Sequence, residues 1–168
     1  MEVRMSERIE KANALIRRYS YWSAGFGLIP VPVVDLAAIT GTQIKMVHAL
    51  SGLYDREFSE DRVRAAIGAL AGAAVPIAVG ASTVSALKTV PVLGQIAGTL
   101  ALPALAMAAT VAVGRVFVHH FEAGGTLLDF DPAKMKAYFE AEFQKAKDGT
   151  SADAPANASA GETTQTAA

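Results

Sequence analysis

Two long stretches without a charged residue constrain this chain more than anything else in it. Residues 65–87 make the first, 23 residues between Arg64 and Lys88; residues 89–114 make the second, 26 residues between Lys88 and Arg115. A helix needs roughly 20 residues to cross a hydrocarbon core of ~30 Å, so each run is long enough. One lysine and a Thr89-Val90-Pro91 break separate them, which predicts a helical hairpin with spans at about 65–87 and 90–114. A buried helix pair in a soluble bundle would give the same pattern, although the runs exceed most core helices. In the first run, Ile67, Leu70, Val75, Ile77, Val79, Val84 and Leu87 each favour insertion by about 0.3–0.6 kcal/mol. Pro76, Ser82, Thr83, Ser85 and the glycines oppose it. The second run has more large apolar residues but carries Gln95, Thr99 and Pro103. Insertion is therefore favourable but marginal, and helix packing must help.

Small residues indicate how the helices pack. Gly68 and Gly72 form one G-x-x-x-G and Gly94 and Gly98 another, with Ala65, Ala69, Ala73 and Gly80 extending small faces along the first helix. Such faces let backbones approach closely in lipid. Packing of the hairpin against itself is the expectation; a homo-oligomer face is the alternative. Basic residues set the orientation. Nine lie in residues 1–64 and five in residues 115–168, with Lys88 alone at the hairpin tip. Both termini are therefore expected in the cytoplasm. The first residues lack an apolar core and a cleavage site, so no signal peptide is expected.

The flanks read as amphipathic cytoplasmic or interfacial helices. Ile9, Ala12, Ile16 and Tyr19 recur at helical spacing between Ser6 and about Trp22, with Leu15 and Trp22 beside them. Ser6 is placed to cap this helix, and Glu7–Lys11 is a favourable i,i+4 pair. Arg17, Arg18, Tyr21 and Trp22 form an interfacial anchor, cations for anionic headgroups and rings for the interface. An ordinary helix packing its aromatics on a neighbour accounts for the same residues. Residues 19–34 are uncharged but only 16 long, and Pro30 and Pro32 force a break after about Leu28. Asp35 then sits where an N-cap belongs, ahead of a helix carrying Leu36, Ile39, Gln43, Ile44, Met46, Val47, Leu50 and Leu53. Residues 19–53 thus read as a second, kinked hairpin that lies on the membrane, dips into it, or covers the cytoplasmic end of the first.

Ser59, followed by Glu60 and Asp61, caps the helix that becomes the first span. Gly124-Gly125 stops the second. Asp131-Pro132 restarts the chain as an N-cap followed by proline at N1, and Met135, Phe139 and Phe143 give the last helix one apolar edge. Lys145 and Lys147 suit its C-terminus and Gly149 is expected to end it. The predicted fold is all-α: a helical membrane domain over residues 1–147, then a disordered tail over 148–168 with no large apolar residue.

Composition narrows the chemistry. The chain has no cysteine, which excludes thiolate metal sites and cysteine nucleophiles. Its net charge of −1 offers no broad basic field to nucleic acid. His119 and His120 point about 100° apart on a helix and cannot easily share an ion. His119 and Glu122, at i,i+3, could, but interfacial histidines beside Arg115 are the preferred reading. Asp35 is read as a cap rather than an acid, and His48 could reach it only through a fold contact. No Ser-His-Asp arrangement, metal motif or pair of carboxylates in an apolar setting is present. No enzyme activity, cofactor or metal is expected.

One resemblance adds to this. Ile29-Pro30-Val31-Pro32-Val33-Val34-Asp35-Leu36, followed by Gln43-Ile44-Lys45-Met46, resembles the hallmark of a YcjF-like bacterial family of membrane proteins of unknown function, often linked with GTPases. Lys88-Thr89-Val90-Pro91-Val92-Leu93-Gly94 resembles that family's break between two apolar segments. Ala109-Thr110-Val111-Ala112-Val113-Gly114 resembles the end of its second. The resemblance covers roughly residues 12–146 and implies an all-helical domain of the bacterial inner membrane. Some relatives carry it fused to, or encoded beside, a GTPase. This chain has no G-x-x-x-x-G-K-[ST], so a GTPase would have to act from another chain. The expected function is a membrane-embedded scaffold or adaptor, with the lipid bilayer and a cytoplasmic protein such as a GTPase as partners. Two alternatives stay open: an oligomeric pore or transporter built from the Gly/Ala-rich hairpin, and a soluble helical bundle that binds membranes or lipid reversibly. The pore is weakened because Gln95, Thr99, Ser82, Thr83 and Ser85 are its polar candidates and none is ionisable.

Overall fold

A computed structural model describes the backbone of residues 2–26, 32–79 and 93–152, and side-chain environments over 3–25, 37–72 and 103–149. The described residues form five helices and no strand: α1 (Glu2–Phe26), α2 (Pro32–Leu53), α3 (Glu60–Val79), α4 (Leu93–Glu122) and α5 (Pro132–Ala152). The all-helical class read from the sequence is the class observed.

Contacts between the helices fix their directions. Tyr54, just past the end of α2, meets Phe121 of α4, and Gln43 donates to Thr110 further back along both, so these two helices run the same way. Arg8 lies over the Tyr54 ring while Ser23 meets Thr110, so α1 runs opposite to them. Tyr138 stacks on His119 and Glu142 pairs with Arg115, which makes α5 antiparallel to α4. Arg62 and Ala66 of α3 share a groove with Leu128 and Phe130, so α3 starts where α4 ends. The result is an up-and-down bundle with two distinct poles. One holds the starts of α1, α3 and α5 and the links 54–59 and 123–131. At the other, α1 and α3 end and α2 and α4 begin.

Helix α4 is the axis. It packs against each of the other four helices. Its buried residues, Ala108, Thr110, Ala112, Val113, Val116, Phe117 and Phe121, occupy more than one face. A helix that is apolar all round must be enclosed on all sides, by protein or by lipid. The other helices bury stripes: Ala12, Ile16, Ser20 and Ser23 on α1, Val63, Ala66, Ile67 and Leu70 on α3, Phe139 and Phe143 on α5. Phe117 stacks on Phe130 with centroids 4.6 Å apart, and Phe121 lies 5.9 Å from Phe117.

The helix ends follow local chemistry. Ser59 starts α3, its carbonyl accepting from Val63 N. Asp131 caps α5 through Oδ1, which accepts from Ala133 N at 3.0 Å. At the end of α4, Gly124 N donates to Phe121 O and Gly125 N to His120 O, with Gly124 at φ +88°. This is the paired 5→2 and 6→1 closure that favours glycine at the left-handed position. Helix α2 ends the same way, with Asp55 at φ 53° and Arg56 N donating to Ser51 O.

Several expectations are corrected. Helix α1 begins at Glu2 and not at Ser6, whose hydroxyl donates back to Val3 O at 2.9 Å. Such a bond keeps serine inside a helix rather than at its cap. Asp35 is not the N-cap of α2. The helix starts at Pro32, where the missing N–H and fixed φ of proline cost nothing, and Asp35 falls in the first turn. His48 cannot reach Asp35: 13 residues of one helix separate them, about 20 Å. It packs instead on Phe58, 4.5 Å between ring centroids. Helix α5 continues through Gly149 to Ala152, past the expected boundary at 147, because one glycine costs a helix only about 1 kcal/mol. The hairpin tip, with Lys88, Thr89 and Pro91, and Pro30 at the first corner lie outside the described residues.

Candidate membrane-interface site

A small polar knot ties three helices together inside the apolar half of the bundle. Thr110 of α4 is fully buried, as is Ser23 of α1, and Gln43 of α2 is 4% exposed. Gln43 Nε2 donates to Thr110 Oγ1 at 3.2 Å. The threonine's one proton can go to Ala106 O at 2.9 Å or to Ser23 Oγ at 2.8 Å. Away from water these groups must satisfy one another, since each left unpaired costs about 1–3 kcal/mol. They therefore fix the register of α1 and α2 on α4. One turn further along α4, towards the pole that holds the links 54–59 and 123–131, α1 and α2 approach its backbone closely. A Cβ on Gly114 would meet Ile16 Cγ1 at 2.6 Å and Met46 Cε at 3.2 Å.

Cations gather at this level. Arg18, Lys45 and Arg115 lie within two residues of Ile16, Met46 and Gly114 respectively, and all three side chains are exposed. Arg115 Nη1 donates to Glu142 Oε2 at 2.5 Å, and Lys145 Nζ donates to Oε1 at 2.7 Å. The Glu142 side chain is 5% exposed, and burial pushes its carboxyl up; Lys145 and Arg115 outweigh that and hold it below its ordinary 4.5. A folded-state value below the unfolded one gives stability that is present above about pH 4.5. That stability is lost as the pH falls through the depressed value. Denaturation midpoints measured downward from pH 5 should fall less steeply for Glu142→Gln than for the unaltered chain. Equal slopes would mean that this carboxylate is not what acid attacks.

The anchor residues lie near this cation level, on the outer face of α1. Arg17 and Arg18 are exposed, and Tyr21 and Trp22 are 68% and 63% exposed. Arg17 and Tyr21 are thus presented outward, while Arg18 and Trp22, though exposed, border α2 at Ala38 and Gly41. Gly68 and Gly72 also face outward, and a Cβ on either would meet nothing within 4 Å. Among the described residues neither glycine meets a neighbouring helix, because α3 turns its Val63, Ile67, Leu70 stripe inward. Gly94 and Gly98 lie on α4 ahead of the described side-chain environments. Pro32 and Asp35 sit in the first turn of α2, also ahead of them.

At the far pole, His120 Nε2 lies 2.8 Å from Thr126 O and His119 stacks on Tyr138. Among the described residues, no group of three or more His, Asp or Glu could hold a metal ion. Burial, and then the Glu122 carboxylate, push the Tyr54 hydroxyl above its ordinary value of 10.0, while Arg8 pulls it down. Sequence reasoning did not single out Ser23, Thr110 or Glu142. The signal for Thr110 was its position as the one polar side chain between Leu100 and Gly114.

Residues 2–148 match the family described as a domain of unknown function (DUF697). The chain belongs to that family. A curated relative of it is magnetosome membrane protein 22 of Magnetospirillum gryphiswaldense, 38% identical over 137 residues, which are 81% of this chain and 70% of the relative. No solved structure matches significantly. The relative is a membrane protein by name. This DUF697 chain has one stretch, among its described residues, long and apolar enough to cross a bilayer: Pro103–Glu122 of α4, with a mean hydropathy of 1.4. Half of that stretch is buried in the bundle.

Proposed function

We propose that the chain is a non-catalytic scaffold embedded in a bacterial inner membrane, with both termini in the cytoplasm. What carries this reading is the level at which charge ends. Beyond Arg18, Lys45, Arg64 and Arg115, residues 19–26, 32–44, 65–79 and 93–114 hold a single charge, Asp35. Residues 93–114 are 22 residues of one helix, about 33 Å at ~1.5 Å per residue, enough for the hydrocarbon core. The cations then sit at one leaflet's headgroups, with Tyr21 and Trp22 beside them, as interfacial residues do. Below that level the bundle is an ordinary water-facing one, with exposed ion pairs such as Glu7–Lys11 and Glu60–Arg64.

A partner would meet the charged pole. There the links 54–59 and 123–131 frame a groove of about 410 Å³ lined by Asp55, Arg56, Arg62 and Leu128, and Leu128 is 68% exposed. The resemblance to a GTPase-linked family makes a GTPase on a separate chain the proposed occupant of this recruiting role.

The test is topology. The protein should stay in the membrane fraction through alkaline carbonate. Because the chain has no cysteine of its own, single cysteines report cleanly. A cysteine replacing Ser59 should react with an impermeant thiol reagent only after the cells are opened. One replacing Thr89 should react in intact cells with a permeable outer envelope. Release by carbonate would overturn the embedded reading in favour of a bundle that binds membranes reversibly. Labelling of Thr89→Cys only after lysis would mean that the hairpin dips in without crossing.

A further inference from the structure

A groove of about 600 Å³ runs between α1 and α2 at the level of the cation belt. That falls within the range of small-molecule sites, about 300–1,000 Å³. Arg18 and Lys45 stand on its walls, with Tyr19 and Trp22 along one side and Gly41 and Thr42 along the other. Both cations are exposed, and among the described residues no carboxylate lines the groove and neither cation makes an ion pair. Arg18 rests over the Tyr19 ring at 5.1 Å, which orients its guanidinium without neutralising it. Thr42, also in the lining, already gives its proton to Ala38 O, so the two cations are left as the groups that attract an anion. Gly41 leaves open space where a side chain would stand.

We infer that this groove is a binding site for the phosphate headgroup of an anionic phospholipid. The inference rests on the membrane-embedded reading above, which places the groove at headgroup depth. Two cations lining one groove match a phosphodiester by charge, and a guanidinium adds a fork that matches its oxygens. The position selects a lipid over a soluble phosphate. Arg18 is the last charge on α1, and beyond it the helix runs uncharged to Phe26, so acyl chains attached to a phosphate held here would continue along an apolar surface. Trp22, 63% exposed at the rim, is placed against the glycerol and carbonyl region.

Trp22 is the only tryptophan in the chain, so the site carries its own reporter. The purified full chain in a neutral detergent is titrated with short-chain phosphatidylglycerol, short-chain phosphatidylcholine or glycerol 3-phosphate, and Trp22 emission is read. Phosphatidylglycerol should give a saturable blue shift, at a concentration at least tenfold lower than either of the others. Arg18→Ala with Lys45→Ala should abolish that tenfold preference and leave the helical circular dichroism unchanged. Arg4→Ala with Lys11→Ala, which removes two charges elsewhere on α1, should preserve it. Equal response to the two lipids, an unaltered preference in the groove variant, or an equal loss in the control variant would each overturn the site. Glycerol 3-phosphate binding as tightly as the lipid would make it a soluble phosphate-ester site instead. Carbonate resistance is read separately, so a failed lipid site in a carbonate-resistant protein leaves the embedded reading standing.

Discussion

Truncating Phe117 to alanine should destabilise the bundle by about 3–5 kcal/mol, the range for deleting a fully buried aromatic side chain. Phe117 has no exposed surface. It stacks on Phe130 of the link into α5, touches Phe121 on its own helix, and so clamps α5 onto the axis. The loss is therefore expected to be directional: the link 123–131 should become the first site of proteolytic cleavage, while α1 and α2 stay on α4 through Gln43 and Thr110. Chemical denaturation of the solubilised protein measures the first effect and limited proteolysis the second. Phe117→Leu, which keeps most of the apolar volume, should fall well short of the alanine variant. A denaturation midpoint unmoved by Phe117→Ala would mean that the Phe117–Phe130 stack contributes nothing to the folded chain.

The parts of this fold that could be read from the sequence are those set by one or two neighbouring residues. Asp131-Pro132 announces a helix start because the carboxylate caps and proline needs no N–H there; Gly124-Gly125 announces a stop because the closing residue takes a positive φ. The charge gaps announce long apolar helices for a similarly local reason. What could not be read is which face of a helix meets which neighbour. On α1 the pattern Ile9, Ala12, Ile16, Tyr19 placed the stripe correctly at its centre, yet Ser20 and Ser23 are buried while Trp22 is exposed. Serine counts as polar in any periodicity, and its burial is met by partners that periodicity does not show: Arg17 O for Ser20, and Thr110 across the interface for Ser23. On α3, Gly68 and Gly72 formed the more conspicuous motif, but Val63, Ala66, Ile67 and Leu70 carry the apolar area and decide which side turns in.

The apolar axis helix shows why spans and core helices are hard to separate by composition. From Ala106 to Phe121 the surroundings of α4 are α1, α2, α3 and α5, and the same alanines and valines would suit acyl chains. Polar residues separate the two cases. A threonine facing lipid can satisfy its own hydroxyl on the carbonyl four residues back, as Thr110 does with Ala106. Gln43 and Ser23 converge on it as well, which a lipid-facing threonine has no means to attract. The charged boundary then falls where the enclosing helices lose their own charges, at Arg18 and Lys45, level with Arg115 at the end of the second uncharged run.

Gly114 is where that enclosure is tightest, and its replacement should have the second large effect. Alanine there would bring its Cβ to 2.6 Å from Ile16 Cγ1, a separation that forces α1 outward or Ile16 off its rotamer. Overpacking of this kind costs about 1–3 kcal/mol, and a leucine would cost more. Helix propensity works the other way, favouring alanine over glycine by about 1 kcal/mol, so a net loss can come only from the clash. The test is a double-mutant cycle. Ile16→Ala removes the atoms in the way and by itself should cost about 2–5 kcal/mol as a cavity. In that background Gly114→Ala should cost little or be stabilising, a coupling of at least 1 kcal/mol between residues 98 positions apart in the chain. Additive effects would mean that α1 does not lie on α4 at this level. The cation belt and the groove between α1 and α2 would then lose their common frame, because both are placed by the contact of Ile16 and Met46 with Gly114.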